Sequence, residues 1–181
     1  MIYMFLAEGF EEVEALCPLD LLRRAGADIK TVGVGDNLIV GAHGISVVAD
    51  LKDTEIDVND NNIEMVILPG GMPGTLNLKN NNTVQSAIDF AVKNDSYVAA
   101  ICAAPSILGE KGLLNNREAI CYPGFEDKLI GAKVSQKHVV KDGKFITAAG
   151  MGVALDFGLE LVSVLFGNDA ANKLRTAVIA D

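Results

Sequence analysis

The sequence predicts an α/β fold with a doubly wound parallel sheet, and three observations predict it. Strand-like and helix-like segments alternate along the chain. The strand candidates 2–6, 64–68 and 97–101 are short, nearly continuous apolar runs, as strands buried on both faces are. Half of the residues are hydrophobic and 18 are Gly, a composition that suits a buried sheet joined by tight turns. Such alternation implies right-handed βαβ units, with ligands bound near the carboxyl ends of the strands.

In chain order, strand 2–6 leads to a helix over 11–25, ended by Gly26, and then to strand 28–34. Apolar arms at 38–40 and 45–48 frame a polar hairpin. Residues 57–62 form a polar turn, 64–68 a short apolar strand, and Pro69-Gly-Gly-Met-Pro-Gly74 a turn. The Asn-rich stretch 77–82 is a short connection, too brief for a domain linker. Helix 84–92, strand 97–101 and a sharp turn at Cys102 follow. Beyond Leu114 come strands near 119–121, 133–134 and 145–147. A helix over 153–166 carries the apolar stripe Val153, Phe157, Leu161 and Val164. No internal repeat is present.

Composition removes several functions. A chain of 181 residues fits one domain, 1–181, with a core that needs no staples. The formal net charge of −9 argues against nucleic-acid binding, which needs a basic face. No apolar run approaches the roughly 18 residues that span a bilayer, so no membrane association is expected. The start lacks a basic segment and meets Glu8, Glu11 and Glu12, unlike a signal peptide. Three cysteines without an export signal point to reduced thiols in the cytoplasm. With His43 and His138 the only histidines and no Cys-x-x-Cys pair, no metal is expected.

The segment Val98-Ala-Ala-Ile-Cys-Ala-Ala-Pro-Ser106 carries the chemistry. Apolar strand residues run into Cys102, and Pro105 stands where a first helical turn tolerates a missing N–H. A cysteine at a strand-to-helix turn faces unpaired backbone N–H groups, which favour a thiolate. The same local pattern also suits a small buried hydrophobe. Strands ending at Leu6, Leu68 and Ile101 deliver three loops to one edge of the sheet. These carry the acidic cluster Glu8/Glu11/Glu12/Glu14, the Gly70-Gly71 turn and Cys102. A nucleophile, a proton carrier and oxyanion donors from the Gly71 and Ala103 N–H groups would then converge. Gly70-Gly71 serves equally as a plain tight turn, and any one of the acids as part of a solvated helix face.

Read together, Leu6-Ala-Glu-Gly-Phe-Glu-Glu-Val-Glu14, Pro18-Leu-Asp-Leu-Leu-Arg-Arg-Ala-Gly26, Leu68-Pro-Gly-Gly71, Ala99-Ala-Ile-Cys-Ala-Ala-Pro105 and Tyr122-Pro-Gly-Phe-Glu126 span nearly the whole chain. In order and spacing the chain resembles the ThiJ/PfpI family, and within it the bacterial branch related to the parkinsonism-associated protein deglycase. The resemblance implies a flavodoxin-like sandwich, a mostly parallel central sheet with helices on both faces, forming a class I glutamine amidotransferase-like domain. It implies a homodimer, a nucleophile-elbow cysteine at Cys102 and a partner carboxyl at Glu14. It also implies that Gly71 and Ala103 form the oxyanion or oxidised-sulfur pocket, with Gly70, Tyr122 and Pro123 at the substrate.

A carboxylate touching a thiolate repels it, so one of the two keeps a proton. With charge favoured on sulfur, Glu14 is the protonated partner, and the Cys102 thiol is expected well below the free value of about 8.5. Three departures from the family pattern matter. Position 103 is Ala where protease members have His, so a Cys-His dyad of that kind is absent. Position 122 is Tyr where deglycase relatives often have His. Near the last helix, Gly-Met-Gly-Val stands in place of Gly-Pro-Gly-Thr. The other cysteines, Cys17 and Cys121, read as packing, and His43 and His138 as surface or interface residues.

The expected function is a cofactor-independent enzyme of glyoxalase III or deglycase type. Its Cys102 attacks an α-oxoaldehyde or a derived adduct, and Glu14 moves the protons. The alternative is a redox-sensing or chaperone-like dimer in which Cys102 becomes a sulfinate. Thiamine-precursor metabolism lacks support, since no Gly-rich phosphate cradle is present.

Overall fold

The computed structural model describes residues 1–58 and 63–180. The elements in chain order are β1 (Ile2–Leu6), α1 (Glu12–Arg24), β2 (Ile29–Gly33), the hairpin arms β3 (Leu38–Val40) and β4 (Ser46–Val48), and β5 (Leu51–Lys52). Then come β6 (Met65–Leu68), α2 (Gly74–Asn80), α3 (Asn82–Lys93), β7 (Tyr97–Ile101) and α4 (Pro105–Glu110). The chain closes with β8 (Glu118–Ala119), β9 (Lys133–Val134), β10 (Val139–Asp142), β11 (Phe145–Ala148), α5 (Ala154–Phe166) and α6 (Asn168–Ala177).

The central sheet has the order β10-β11-β7-β6-β1-β2-β5. Every pairing in it is parallel except the antiparallel edge β10–β11. Alternation within each strand divides the core. Ile2, Met4 and Leu6 of β1 join a cluster with α1 and α5, together with Met65, Ile67, Ala99 and Ile101. Tyr3 and Phe5 join the opposite cluster, with Val66, Leu68, Val98, Ala100 and the apolar faces of α3 and α4. Both faces are therefore covered, which is why β1, β6 and β7 are apolar at nearly every position. The chain leaves β1 for β2 on one side and returns to β6 on the other. That reversal opens a crevice at the carboxyl ends of β1 and β6, where the loops 7–11 and 69–73 meet.

Helix α1 starts at an N-cap supplied by Glu11, whose carboxylate accepts the Glu14 N–H at 2.7 Å. The β3–β4 hairpin is tied to the segment before α1 by Gly9 N–H to the Val40 carbonyl and Ala42 N–H to the Phe10 carbonyl, both 2.8 Å.

Several expectations are corrected. The Asn-rich stretch 77–82 is mostly helix α2, where Leu78 is buried and Asn81 then caps α3 by accepting the Val84 N–H. The segment near 119–121 is the two-residue β8, which pairs with β9 outside the main sheet. Strand β10 and helix α6 stand where the sequence pattern predicts no regular element. The polar turn expected over 57–62 lies beyond Val58 outside the described residues. Among the described residues no helix is long and apolar enough to cross a membrane.

Candidate functional site

Strand β7 ends at Ile101, and Cys102 takes a left-handed backbone with φ 65°. A non-glycine residue there is strained, and surrounding bonds hold it. Cys102 N–H donates to the Ala148 carbonyl at 2.9 Å, and its own carbonyl accepts the Tyr122 N–H at 2.8 Å. Helix α4 then begins at Pro105, in the first-turn position. The sulfur is half-buried and accepts the backbone N–H groups of Ala103 and Gly71. Gly71 reaches this position with φ 92°, open to glycine at no steric cost.

Glu14 projects from the first turn of α1 into the same point and is 1 % exposed. Gly70 N–H donates to its Oε2 at 3.0 Å, while Oε1 is buried with no hydrogen-bond partner among the described residues. The carboxyl and the Cys102 thiol interact directly. Gly70 permits this approach. A Cβ there would stand 2.5 Å from Glu14 Oε2 and 2.7 Å from the Cys102 Cβ. The N–H of Gly70 is thus committed to Glu14, behind the cysteine.

The electrostatics correct one expectation. Burial pushes Glu14 up to about 7, helped by the charge of Glu11 and opposed by bonds from Cys102 and Gly70. Burial also pushes the Cys102 thiol up to about 12, and the Glu14 charge and hydrogen bond add to it. The Ala103 and Gly71 N–H groups act in the lowering direction but do not prevail. A thiol held well below the free value is therefore not what the site produces. Helix α4 has only six residues, and desolvation outweighs its terminus. Above about pH 7 the pair carries one negative charge, which a single proton transfer places on oxygen or on sulfur.

Beside this pair lies an open cavity of about 430 Å³, lined by Tyr122, Pro123, His138, Met151, Val153 and the backbone at Gly150. Gly150 forms the wall nearest the carboxyl. A Cβ on it would sit 3.2 Å from the Tyr122 ring and 3.9 Å from Glu14 Oε1. Cys102, Glu14, Gly71 and Ala103 come together, and Tyr122 and Pro123 flank them. His138 was expected at the surface or an interface. It is exposed, yet it lines this cavity, placed there by the pairing of β10 with β11. Its only signal in the sequence is adjacency to the Val139-Val140 pair.

The remaining candidates sit elsewhere. Cys121 is buried and its thiol is pushed up to about 11 by burial. Cys17 is half-buried against the α1–α5 core and is also raised by burial. Glu11, Glu12 and His43 bring donor atoms within 4.8 Å of one another, the group among the described residues nearest to a metal-ligand set. Its carboxylates are already engaged. Glu12 accepts the His43 N–H at 2.7 Å and contacts the His43 ring nitrogen Nδ1 at 2.9 Å, and Glu11 caps α1. This group pins the hairpin to α1.

Comparison with known proteins places this geometry among relatives. The profile of the DJ-1/PfpI family matches residues 1–164. Protein DJ-1 homolog A of Arabidopsis thaliana is 34% identical over 178 residues, covering 96% of this chain and 45% of that protein. The chain thus spans less than half of that relative's length. A glutathione-independent glyoxalase, DJR-1.2 of Caenorhabditis elegans, is 30% identical over 169 residues, covering 92% of this chain and 89% of the relative. The solved structure of oxidized DJ-1 from Toxoplasma gondii superposes with a TM-score of 0.93 at 28% identity, covering 98% of this chain and 97% of that one.

Proposed function

The chain belongs to the DJ-1/PfpI family, and from that premise we propose that it converts 2-oxoaldehydes, or adducts derived from them, into 2-hydroxy acids by covalent catalysis at Cys102. One observation carries this reading: the buried Glu14 carboxyl, with one oxygen unpaired, set against the half-buried Cys102 sulfur that also meets two backbone N–H groups.

The chemistry is an internal redox exchange between two neighbouring carbons. A proton passes from the thiol to Glu14 as sulfur adds to the aldehyde carbon, C1. The C1 oxygen then takes that proton, giving a hemithioacetal and a Glu14 carboxylate. Glu14 removes the C1 hydrogen and the electron pair moves towards the C2 oxygen. Glu14 then returns the proton to C2 while the C1 hydroxyl proton passes to the C2 oxygen, leaving a thioester beside a C2 hydroxyl. C1 is oxidised and C2 reduced within one molecule, so no external oxidant or reductant is needed. Water cleaves the resulting thioester, releasing the acid and the thiol. The Gly71 and Ala103 N–H groups suit the oxyanions formed at C1. A carboxyl pushed to about 7 suits this two-way proton traffic near neutrality.

The second reading, a redox sensor, rests on the same surroundings. Two N–H donors and a protonatable carboxyl are the partners a Cys102 sulfinate would need. In either case we expect a homodimer. Leu38, Ile45 and Val48 on the hairpin and Val13 on α1 are exposed apolar residues that a second copy would cover.

The deciding experiment is conversion of methylglyoxal to lactate without glutathione, comparing the parent with Cys102→Ala. Turnover lost in Cys102→Ala supports the enzyme. Equal rates, or none above buffer, refute it, and oxidation of Cys102 by mild peroxide before Cys17 or Cys121 would then favour the sensor.

A further inference from the structure

We infer that His138 is a second proton carrier of the site, serving the oxygen atoms of the bound substrate while Glu14 serves its carbons. The inference rests on the enzymatic reading above. Among the residues lining the cavity beside Gly150, Tyr122 and His138 have the only titratable side chains, with no carboxylate, Lys or Arg among them. An imidazole accepts a proton at one ring nitrogen and donates one from the other, the two-way chemistry of a general acid–base.

The backbone sets the distance. Cys102 N–H is bonded to the Ala148 carbonyl, and the next residue, Ala149, donates its N–H to the His138 carbonyl, both at 2.9 Å. His138 and Cys102 therefore flank the end of β11 on its two sides. Two strand spacings place their backbones about 10 Å apart. A cysteine side chain, a three-carbon adduct and an imidazole together bridge such a gap. Glu14 Oε1 lies next to Gly150, one residue of the cavity lining, and His138 is another. The two acid–base groups would then address a sulfur-bound adduct from different directions.

The assignment gives a carrier to the proton that passes from the C1 oxygen to the C2 oxygen. When Glu14 takes the C1 hydrogen, negative charge develops on the C2 oxygen. The His138 imidazolium gives that oxygen a proton, forming the enediol. As Glu14 returns its proton to C2, the C1 hydroxyl gives its proton to the neutral imidazole and becomes the thioester carbonyl. Both catalytic groups end in the state in which they began.

The test is methylglyoxal turnover by His138→Ala and His138→Gln, with iodoacetamide alkylation of Cys102 measured on the same samples. The expected result is a fall in kcat on the order of a hundredfold, KM within about threefold, and unchanged alkylation. Added imidazole should restore part of the kcat of His138→Ala and none of that of Cys102→Ala. Parental kcat in His138→Ala overturns the inference and leaves the enzymatic reading intact. Loss of kcat together with slowed Cys102 alkylation overturns it too, since His138 would then act through the shape of the site. A parent with no turnover above Cys102→Ala overturns the enzymatic reading, and the inference falls with it.

Discussion

Gly70 holds Glu14 by a single N–H bond of 3.0 Å to Oε2, and the other carboxyl oxygen is left buried with no hydrogen-bond partner among the described residues. A buried polar atom left unpaired costs stability, on the order of 1–3 kcal/mol, and natural cores seldom keep one without use. Here the unpaired oxygen lies on the Gly150 side, and Gly150 is part of the wall of the cavity that Tyr122, Pro123 and His138 also line. The carboxyl is thus fixed in direction and incomplete in bonding, the condition of a group waiting to exchange a proton.

Gly70→Ala should disable the site while leaving the fold. The added methyl meets Glu14 Oε2 at 2.5 Å and the Cys102 Cβ at 2.7 Å, so the carboxyl and the thiol must part. Overpacking of this kind costs about 1–3 kcal/mol. Thermal unfolding should show a lowered but cooperative transition, and methylglyoxal turnover should fall at least tenfold. Parental turnover would mean that the Glu14–Cys102 contact is dispensable.

The reactivity of Cys102 should follow the charge of the pair. Below about pH 7 both groups are protonated, and above it one negative charge is shared between them. Alkylation of Cys102 by iodoacetamide, followed by peptide mass spectrometry, should therefore rise through an inflection near pH 7. Glu14→Gln removes the group that titrates there, and the inflection should move upward out of the neutral range. An unchanged profile in Glu14→Gln would show that the carboxyl does not govern the thiol.

Stability should carry the opposite imprint. The Glu14 value is raised in the fold to about 7 by burial, so the protonated form is the one the fold favours. Its contribution is fully present below the unfolded carboxyl value of about 4.3 and is lost as pH rises through about 7. A displacement of that size is worth about 4 kcal/mol. Glu14→Gln, neutral at every pH, should gain stability relative to the parent between pH 5 and 8, read from paired denaturant titrations. A constant difference across that range would contradict the raised value.

The strands that carry the site were legible because their signals are local. Leu6, Leu68 and Ile101 end apolar runs, and Gly70-Gly71 and Pro105 mark the turns that follow. Convergence of those turns follows from the parallel order alone, and the structure brings Cys102, Glu14, Gly71 and Ala103 to one point. What escaped was non-local. β10 is four residues with a half-polar pattern, and it becomes a strand only by pairing with β11, which is what places His138. Helix α2 hides in an Asn-rich stretch because only Leu78 and the residues at its start are buried. The thiol's direction depends on how deeply sulfur and carboxyl are desolvated together, which no spacing of residues encodes.

Gly150→Ala offers a contrast to Gly70→Ala on the other side of the carboxyl. Gly150 has φ 162° and ψ −171°, an extended backbone open to any residue, so the substitution brings no backbone strain. Its methyl would lie 3.2 Å from Tyr122 Cδ2 and 3.9 Å from Glu14 Oε1. Tyr122 is 51% exposed and free to turn by the few tenths of an ångström required. Stability should therefore stay within about 1 kcal/mol of the parent. The methyl narrows the passage between Tyr122 and Glu14, the route by which a substrate in the cavity would reach the carboxyl. A bulky 2-oxoaldehyde such as phenylglyoxal should lose more kcat/KM than methylglyoxal, by about tenfold for a cost of 1.4 kcal/mol. Equal losses for the two substrates would place the route to Cys102 elsewhere than past Gly150.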